Sequence, residues 1–231
     1  MARQRSLEEF SGEGPPLARA PTPPARPHPP ALPNVWEVED GYVVHPFLRP
    51  RRLRALPFQL DLARRGLEGN LLVVLPTGLG KTVIAALIAA ELLRRSDHRL
   101  LFLAPTRPLV QQHAASFADW LIPLPTARFT GSVRRPVREG SWERCDLLFA
   151  TPEIVRNDLA AGRYDLRDVG LIVFDECHHA IGKYAYVPIA ERFLTEGPAD
   201  LRILGLTASP GGRDAHIEEV VEHLGQPREL R

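Results

Sequence analysis

Two stretches of this sequence carry side chains that could do phosphate chemistry. In Leu75-Pro-Thr-Gly-Leu-Gly-Lys-Thr82, Gly78 and Gly80 let the backbone approach an anion closely. Lys81 can reach the outer phosphates, and the Thr82 hydroxyl can ligate magnesium. The most familiar form of this loop has a glycine where Leu75 stands, so the chain departs from it there. In Asp175-Glu-Cys-His178 two carboxylates are adjacent, and such a pair needs a cation. Asp175 is suited to hold magnesium through water, opposite Lys81 and Thr82, and Glu176 to orient and deprotonate an attacking water. A metal cluster of Asp175, Cys177, His178 and His179 has poor geometry, because adjacent residues rarely converge on one ion. His178 reads better as a link to the next strand, where Thr207-Ala-Ser209 offers the hydroxyls of Thr207 and Ser209.

These residues need elements to position them. Leu71–Leu75 is a short apolar run suited to a buried strand, and Val83–Leu93 is an Ala/Leu/Ile run of helical length. A strand feeding a glycine turn that opens a helix aims backbone N–H groups and the helix dipole at one spot, where an anion is stabilised. The unit then recurs. Arg99–Ala104 reads as a strand, Pro105-Thr-Arg-Pro108 as a turn, and Leu109–Trp120 as a helix. Arg128–Gly131 and Asp146–Ala150 read as strands, with a helix from Thr151-Pro152 to about Ala161. Gly170–Phe174 and Arg202–Leu206 are further strands, and Asp214–Leu224 is a last helix. This alternation predicts an α/β fold, a mostly parallel sheet with helices on both faces. Ligands in such folds sit at the carboxyl ends of the strands, where each motif above falls. Upstream, Val35–Val44 predicts a strand or a hairpin about Asp40-Gly41, and a helix is expected to begin near Pro57 and run to Leu67.

Met1 to Asn34 is crowded with Pro, Ala and Arg and has no hydrophobic period, so residues 1–34 are expected to be a disordered tail and 35–231 a single domain. A net charge of +1 argues neither for nor against a nucleic-acid partner, so any electrostatic footprint must be local. Arg49, Arg51, Arg52 and Arg54 form one candidate patch, and Arg128, Arg134, Arg135 and Arg138 another; either could equally be a solvated face. Lys81 and Lys183 are the two lysines of an arginine-rich chain, which makes a lysine inside the loop more telling. Cys145 and Cys177 lack CxxC spacing, which fits a reducing, cytoplasmic setting. No apolar run approaches the roughly 20 residues that span a bilayer, so no membrane partner is expected.

Taken together, the Pro-Thr-Gly-Leu-Gly-Lys-Thr loop, Ala104-Pro-Thr-Arg-Pro-Leu-Val110, Thr130-Gly131, Ala150-Thr-Pro-Glu153, Asp-Glu-Cys-His and Thr-Ala-Ser resemble the first RecA-like domain of superfamily 2 helicases. The resemblance runs from about Val35 onward. His45-Pro-Phe-Leu-Arg-Pro50, Asn157-Asp-Leu-Ala-Ala-Gly162, Tyr184-Ala-Tyr-Val187 and Gly205-Leu-Thr-Ala-Ser-Pro-Gly211 look like the Hef and Fanconi anaemia group M translocases, which act on branched DNA. The resemblance implies a RecA-like phosphate-loop NTPase that uses ATP and Mg2+. Its nucleotide set would be Gln59, reading the adenine, with Thr77, Gly78, Leu79, Gly80, Lys81 and Thr82. It also implies that Thr106, Arg107, Gly131 and Thr151 face a sugar–phosphate strand, gripping it without reading sequence. Taken singly, each of those four is ordinary turn chemistry.

The chain departs from the family in places. Leu56 stands where the family has an arginine three places before the glutamine, and the spelling Asp-Glu-Cys-His is shared with Dicer-like RNA helicases. DNA is therefore the favoured partner with RNA left open. The sequence stops soon after Thr-Ala-Ser, so the second RecA-like domain is expected to act in cis from outside these residues or in trans. The expected activity is that of the ATP-binding half of a nucleic-acid-dependent ATPase. The alternative is a stand-alone module that binds nucleotide and nucleic acid without efficient hydrolysis. A guanine-nucleotide enzyme is a weaker reading, since the Asn-Lys-x-Asp signature is missing from the sequence.

Overall fold

The computed structural model describes residues 35–209 and 214–225. The expected tail, residues 1–34, lies outside the described residues, as do Pro210 and Gly211 of the last motif.

A hairpin opens the described chain, with β1 (Glu37–Glu39) and β2 (Tyr42–Val44) antiparallel about Asp40-Gly41. Both turn residues have positive φ, as a tight two-residue turn requires. Helix α1 (Pro57–Glu68) starts on Pro57, whose fixed φ suits a first turn. Then come β3 (Leu71–Val74), α2 (Lys81–Arg95), β4 (Arg99–Leu103), α3 (Arg107–Trp120), β5 (Thr126–Phe129), α4 (Arg135–Trp142), β6 (Leu147–Ala150) and α5 (Pro152–Ala160). The chain continues with β7 (Val169–Asp175), a 3-10 turn (Cys177–His179), α6 (Tyr186–Glu196), β8 (Arg202–Thr207) and α7 (Asp214–His223).

Strands β3 to β8 form a six-stranded sheet in the order β3-β8-β7-β4-β6-β5, parallel throughout. Side chains alternate across it. Leu100 and Phe102 pack with Ile84, Leu87, Val110 and Phe117 on the face covered by α1 to α3, while Leu101 and Leu103 pack with Trp142, Val155, Ile189 and Phe193 on the other. Every residue of β7 is buried, the pattern of a central strand covered on both faces.

Helix α2 is apolar almost all round, Ile84 to Ala90 being wholly buried, so it needs a second cover besides the sheet. The arm before α1 belongs to that core through Trp36, Val43, Leu48 and Leu53. Its His45 Nε2 lies 2.9 Å from Oε2 of buried Glu91, whose carboxylate also takes Nε and Nη2 of Arg94 at 2.7 and 2.8 Å. This gives a physical reason for the His45-Pro-Phe-Leu-Arg-Pro50 stretch.

The structure moves β5 two residues ahead of its expected place and adds α4 and α6. It also gives partners to the first arginine patch and to one member of the second, while Arg128, Arg134 and Arg135 stay exposed. Arg49 donates to the Leu121 carbonyl, Arg51 and Arg52 pair with Asp40 and Asp119, and Arg54 lies over the Tyr42 ring. Arg138 is buried, with Nε and Nη2 on Asp158 at 2.7 and 2.8 Å, so it belongs to the core rather than to a charged face.

Candidate nucleotide and nucleic-acid site

All the motifs reach the carboxyl rim of the sheet, and the strand order sorts them. The phosphate loop, Thr-Ala-Ser and Asp-Glu-Cys-His follow β3, β8 and β7, which are neighbours. Thr106, Thr151 and Gly131 follow β4, β6 and β5, the other three. The rim is thus divided into a nucleotide half and a half carrying the residues expected to grip a strand.

In the loop, Gly78 and Gly80 have φ of +88° and +77°, conformations that side chains rarely adopt. Gly80 is also tightly approached: a Cβ there would lie 2.4 Å from Gln59 Nε2. The Gln59 amide is buried and donates to the Leu79 carbonyl at 3.1 Å, so the expected adenine reader is fixed to the loop it would serve. Helix α2 begins at Lys81 with Gly80 as its cap and no capping side chain, leaving the helix terminus suited to an anion. Lys81 Nζ rests on the Leu75 carbonyl, 2.9 Å away. Thr77, Gly78 and Leu79 are exposed, and Thr82 is half-buried.

At the end of β7, Asp175 is buried and accepts from Nε2 of His113 at 2.7 Å. The Tyr186 hydroxyl donates to the Asp175 carbonyl at 2.7 Å, which ties α6 to the motif and gives Tyr184-Ala-Tyr-Val187 its purpose. Glu176 has φ +48° and ψ +48°, a left-handed conformation that costs about 1–3 kcal/mol in a non-glycine residue and recurs at functional sites. His178 Nδ1 lies 3.0 Å from Thr207 Oγ1 and 3.3 Å from Glu176 Oε2, so the carboxylate, the imidazole and β8 are in contact. Ser209 joins through its backbone: its N–H donates to Thr207 Oγ1, and its carbonyl accepts from it. The expectation that both hydroxyls reach the cluster therefore holds for Thr207 alone. Cys177 is fully buried, and burial pushes its thiol well above the usual range. It packs toward Gly205, where a Cβ would lie 3.1 Å from its Sγ.

A hard cation that keeps several waters and takes one or two protein oxygens besides phosphate suits the Thr82 hydroxyl and the Asp175 carboxylate. Among the described residues, no group of three or more His, Cys, Asp or Glu is placed to hold a metal ion.

On the other half, Arg107 and Gly131 are brought together although β4 and β5 are not neighbours: a Cβ on Gly131 would lie 2.6 Å from Arg107 Nη2. Thr106 caps α3, its hydroxyl accepting from the Leu109 N–H at 3.4 Å, and its hydroxyl hydrogen is left to donate. Thr151 sits before α5, largely buried, with its N–H on the Phe129 carbonyl. Sequence reasoning missed His113 and Tyr186. The signal for His113 is its period: Val110, His113, Ala114 and Phe117 form the buried face of α3, and a histidine there needs polar partners.

The sequence model of the DEAD/DEAH box helicase family matches residues 56–217. The chain is 40% identical over 189 residues to the ATP-dependent DNA helicase mph1 of Sclerotinia sclerotiorum, an alignment covering 80% of this chain and 15% of that protein. It is 37% identical over 191 residues to a Methanocaldococcus jannaschii protein named as an ATP-dependent RNA helicase, covering 80% of this chain and 23% of that one. The crystal structure of the Pyrococcus furiosus Hef helicase domain superposes with a TM-score of 0.75 at 42% identity, over 79% of this chain and 38% of that one. The chain thus spans a quarter or less of the length of these two curated relatives. With the motif order, the parallel sheet and the divided rim, this makes the chain a member of the DEAD/DEAH box helicase family, with the fold of a first RecA-like domain of superfamily 2 near the Hef and Fanconi anaemia group M branch.

Proposed function

We propose that this chain is the ATP-binding half of a nucleic-acid-dependent ATPase that translocates on or remodels DNA, branched DNA being its substrate class. The division of the rim supports this most directly, since it sets the residues expected to hold nucleotide beside those expected to grip a strand on one sheet. In this reading Gln59 reads the adenine, and Thr77 to Gly80 surround the phosphates with backbone N–H groups. Lys81 moves from the Leu75 carbonyl onto the outer phosphates, exchanging one oxygen partner for charged ones. Thr82 and Asp175 would hold Mg2+, which would supply neutralisation of charge on the transferring phosphoryl group. Glu176 takes the proton of the attacking water, and His178 passes the state of that carboxylate to Thr207. Thr106, Arg107, Gly131 and Thr151 hold the sugar–phosphate strand.

A second RecA-like domain, in cis or in trans, closes over the loop and supplies the arginine that stabilises the transition state, worth roughly 10³ to 10⁵ in rate in related sites. We place this activity in a reducing, cytoplasmic setting and in a unit spanning residues 35–231. The test is ATP turnover by the full chain, alone and fused to a second RecA-like domain of this family, with forked DNA, single-stranded DNA or double-stranded RNA. The chain alone should bind ATP and turn over slowly; the fusion should be stimulated, most by forked DNA. Glu176→Gln should abolish that turnover while keeping ATP bound. Stimulation by RNA alone would move the chain to an RNA-directed role, and full turnover in Glu176→Gln would refute the assignment of the base.

A further inference from the structure

His113 stands at the seam of the divided rim, on the helix that follows β4 and beside the end of neighbouring β7. Its ring packs on Phe102, with centroids 4.5 Å apart. Nε2 is 2.7 Å from Asp175 Oδ2, and Nδ1 faces Thr82 Oγ1 at 3.5 Å, longer than an ordinary hydrogen bond and within reach of one by a small movement of the side chain. A carboxylate only accepts, so Nε2 is the ring atom that carries the hydrogen. In that tautomer Nδ1 accepts, and the hydroxyl hydrogen is what Thr82 has to offer it. One imidazole therefore engages both residues assigned to magnesium, each through an atom the cation does not need. Thr82 can offer its hydrogen and keep its lone pairs, while Asp175 uses Oδ2 and keeps Oδ1.

We propose that His113 is a positioning residue for the magnesium site, fixing the Thr82 hydroxyl and the Asp175 carboxylate before metal and nucleotide arrive. The inference rests on the reading of those two residues as magnesium ligands. It also gives α3 a double duty. The helix presents Arg107 at its first turn and His113 six residues further on, about 9 Å along its axis at 1.5 Å per residue. A shift of α3 when Arg107 takes hold of a strand would then be felt at the Asp175 carboxylate.

The experiment is an equilibrium titration of the full chain with a fluorescent ATP analogue, at graded Mg2+ and in EDTA. His113→Phe keeps a ring on Phe102 and removes the donor. It should raise the Mg2+ concentration needed for half-maximal tight binding by about 10–100-fold, the usual effect of losing an outer-shell partner, and leave affinity in EDTA within about twofold. His113→Gln, which restores an N–H, should recover most of the loss. A His113→Phe chain with the original Mg2+ dependence, or one weakened equally with and without Mg2+, overturns the inference alone. An unsubstituted chain whose nucleotide affinity ignores Mg2+ overturns the ligand reading and the inference with it. The imidazole 15N shifts of the unsubstituted chain give a second answer that needs no variant. Nε2 should be the protonated nitrogen and should move when Mg2+ is added to the nucleotide-bound chain; a resonance indifferent to Mg2+ overturns the inference.

Discussion

Gly131→Ala is expected to weaken nucleic-acid binding through a neighbour rather than through its own contacts. The backbone at Gly131 lies outside the left-handed region, so alanine is tolerated conformationally and the fold should keep its stability within about 1 kcal/mol. The added Cβ would lie 2.6 Å from Arg107 Nη2, and ordinary contact begins at 3.4 Å, so the guanidinium must retreat by about 0.8 Å. A charge-assisted bond near 2.8 Å does not survive that displacement. One phosphate contact to a single strand releases about 0.7 counterion, so at 0.1 M salt its loss lowers affinity by about 10^0.7, roughly fivefold or 1 kcal/mol. The assay is fluorescence anisotropy of a labelled oligothymidylate titrated with Gly131→Ala, Arg107→Ala and the double variant across 50–200 mM salt, ranges chosen around the ~0.1 M reference. Each single variant should lose about fivefold and flatten the salt slope by about 0.7, and the double variant should lose no more than Arg107→Ala alone. Full affinity in Gly131→Ala, or losses that multiply in the double variant, would refute the idea that these two residues form one gripping surface.

Lys81→Ala should remove Mg–ATP binding, because the phosphates lose their cationic partner inside the loop; a folded variant of unchanged affinity in the fluorescent ATP titration would sink the phosphate-loop assignment. Glu91→Gln should destabilise the chain by about 3–5 kcal/mol, since Arg94, only 2% exposed, loses the charge that compensates it. Burial opposes the Glu91 charge, but bonds from Arg94, His45 and Arg95 outweigh it and hold the carboxyl far below its ordinary value of 4.5. A carboxylate depressed in the folded state stabilises the fold fully above that ordinary value and loses its effect as pH falls below it. Melting from pH 7 to pH 3 should therefore show a steeper acid decline in the unsubstituted chain than in Glu91→Gln, and parallel curves would contradict the assignment.

The nucleotide half was legible because its chemistry is written in consecutive residues. Gly78, Gly80, Lys81 and Thr82 name a phosphate loop, and the strand before and helix after it confirm the setting. Where function is carried by one side chain on a long element, the sequence is quieter. His113 looks like one more residue of a helix until Val110, Ala114 and Phe117 are seen to share its face. Helix α6 hides behind Pro188, which is harmless in a first turn but reads as a break. Helix α4 hides because Arg138, a charge in the sequence, is turned inward to Asp158. That pairing is tertiary, as is the contact of Arg107 with Gly131, and no local propensity encodes either.

The strand that feeds the phosphate loop has, among the described residues, a single neighbour in the sheet. Leu71 pairs with Leu204, a separation of 204 − 71 = 133 residues, and Val74 pairs with Thr207. On a ribosome adding about 5–20 residues per second, β3 waits roughly 7 to 27 seconds for its partner. During that wait its apolar edge is open to other chains, the situation that chaperones and early folding traps share. The start of the loop is tied to that partner, since the Leu75 N–H donates to the Thr207 carbonyl at 3.1 Å. A nucleotide held in this loop would therefore favour the docked arrangement of β8, so the strand made last among those described bears on when the first motif becomes a site.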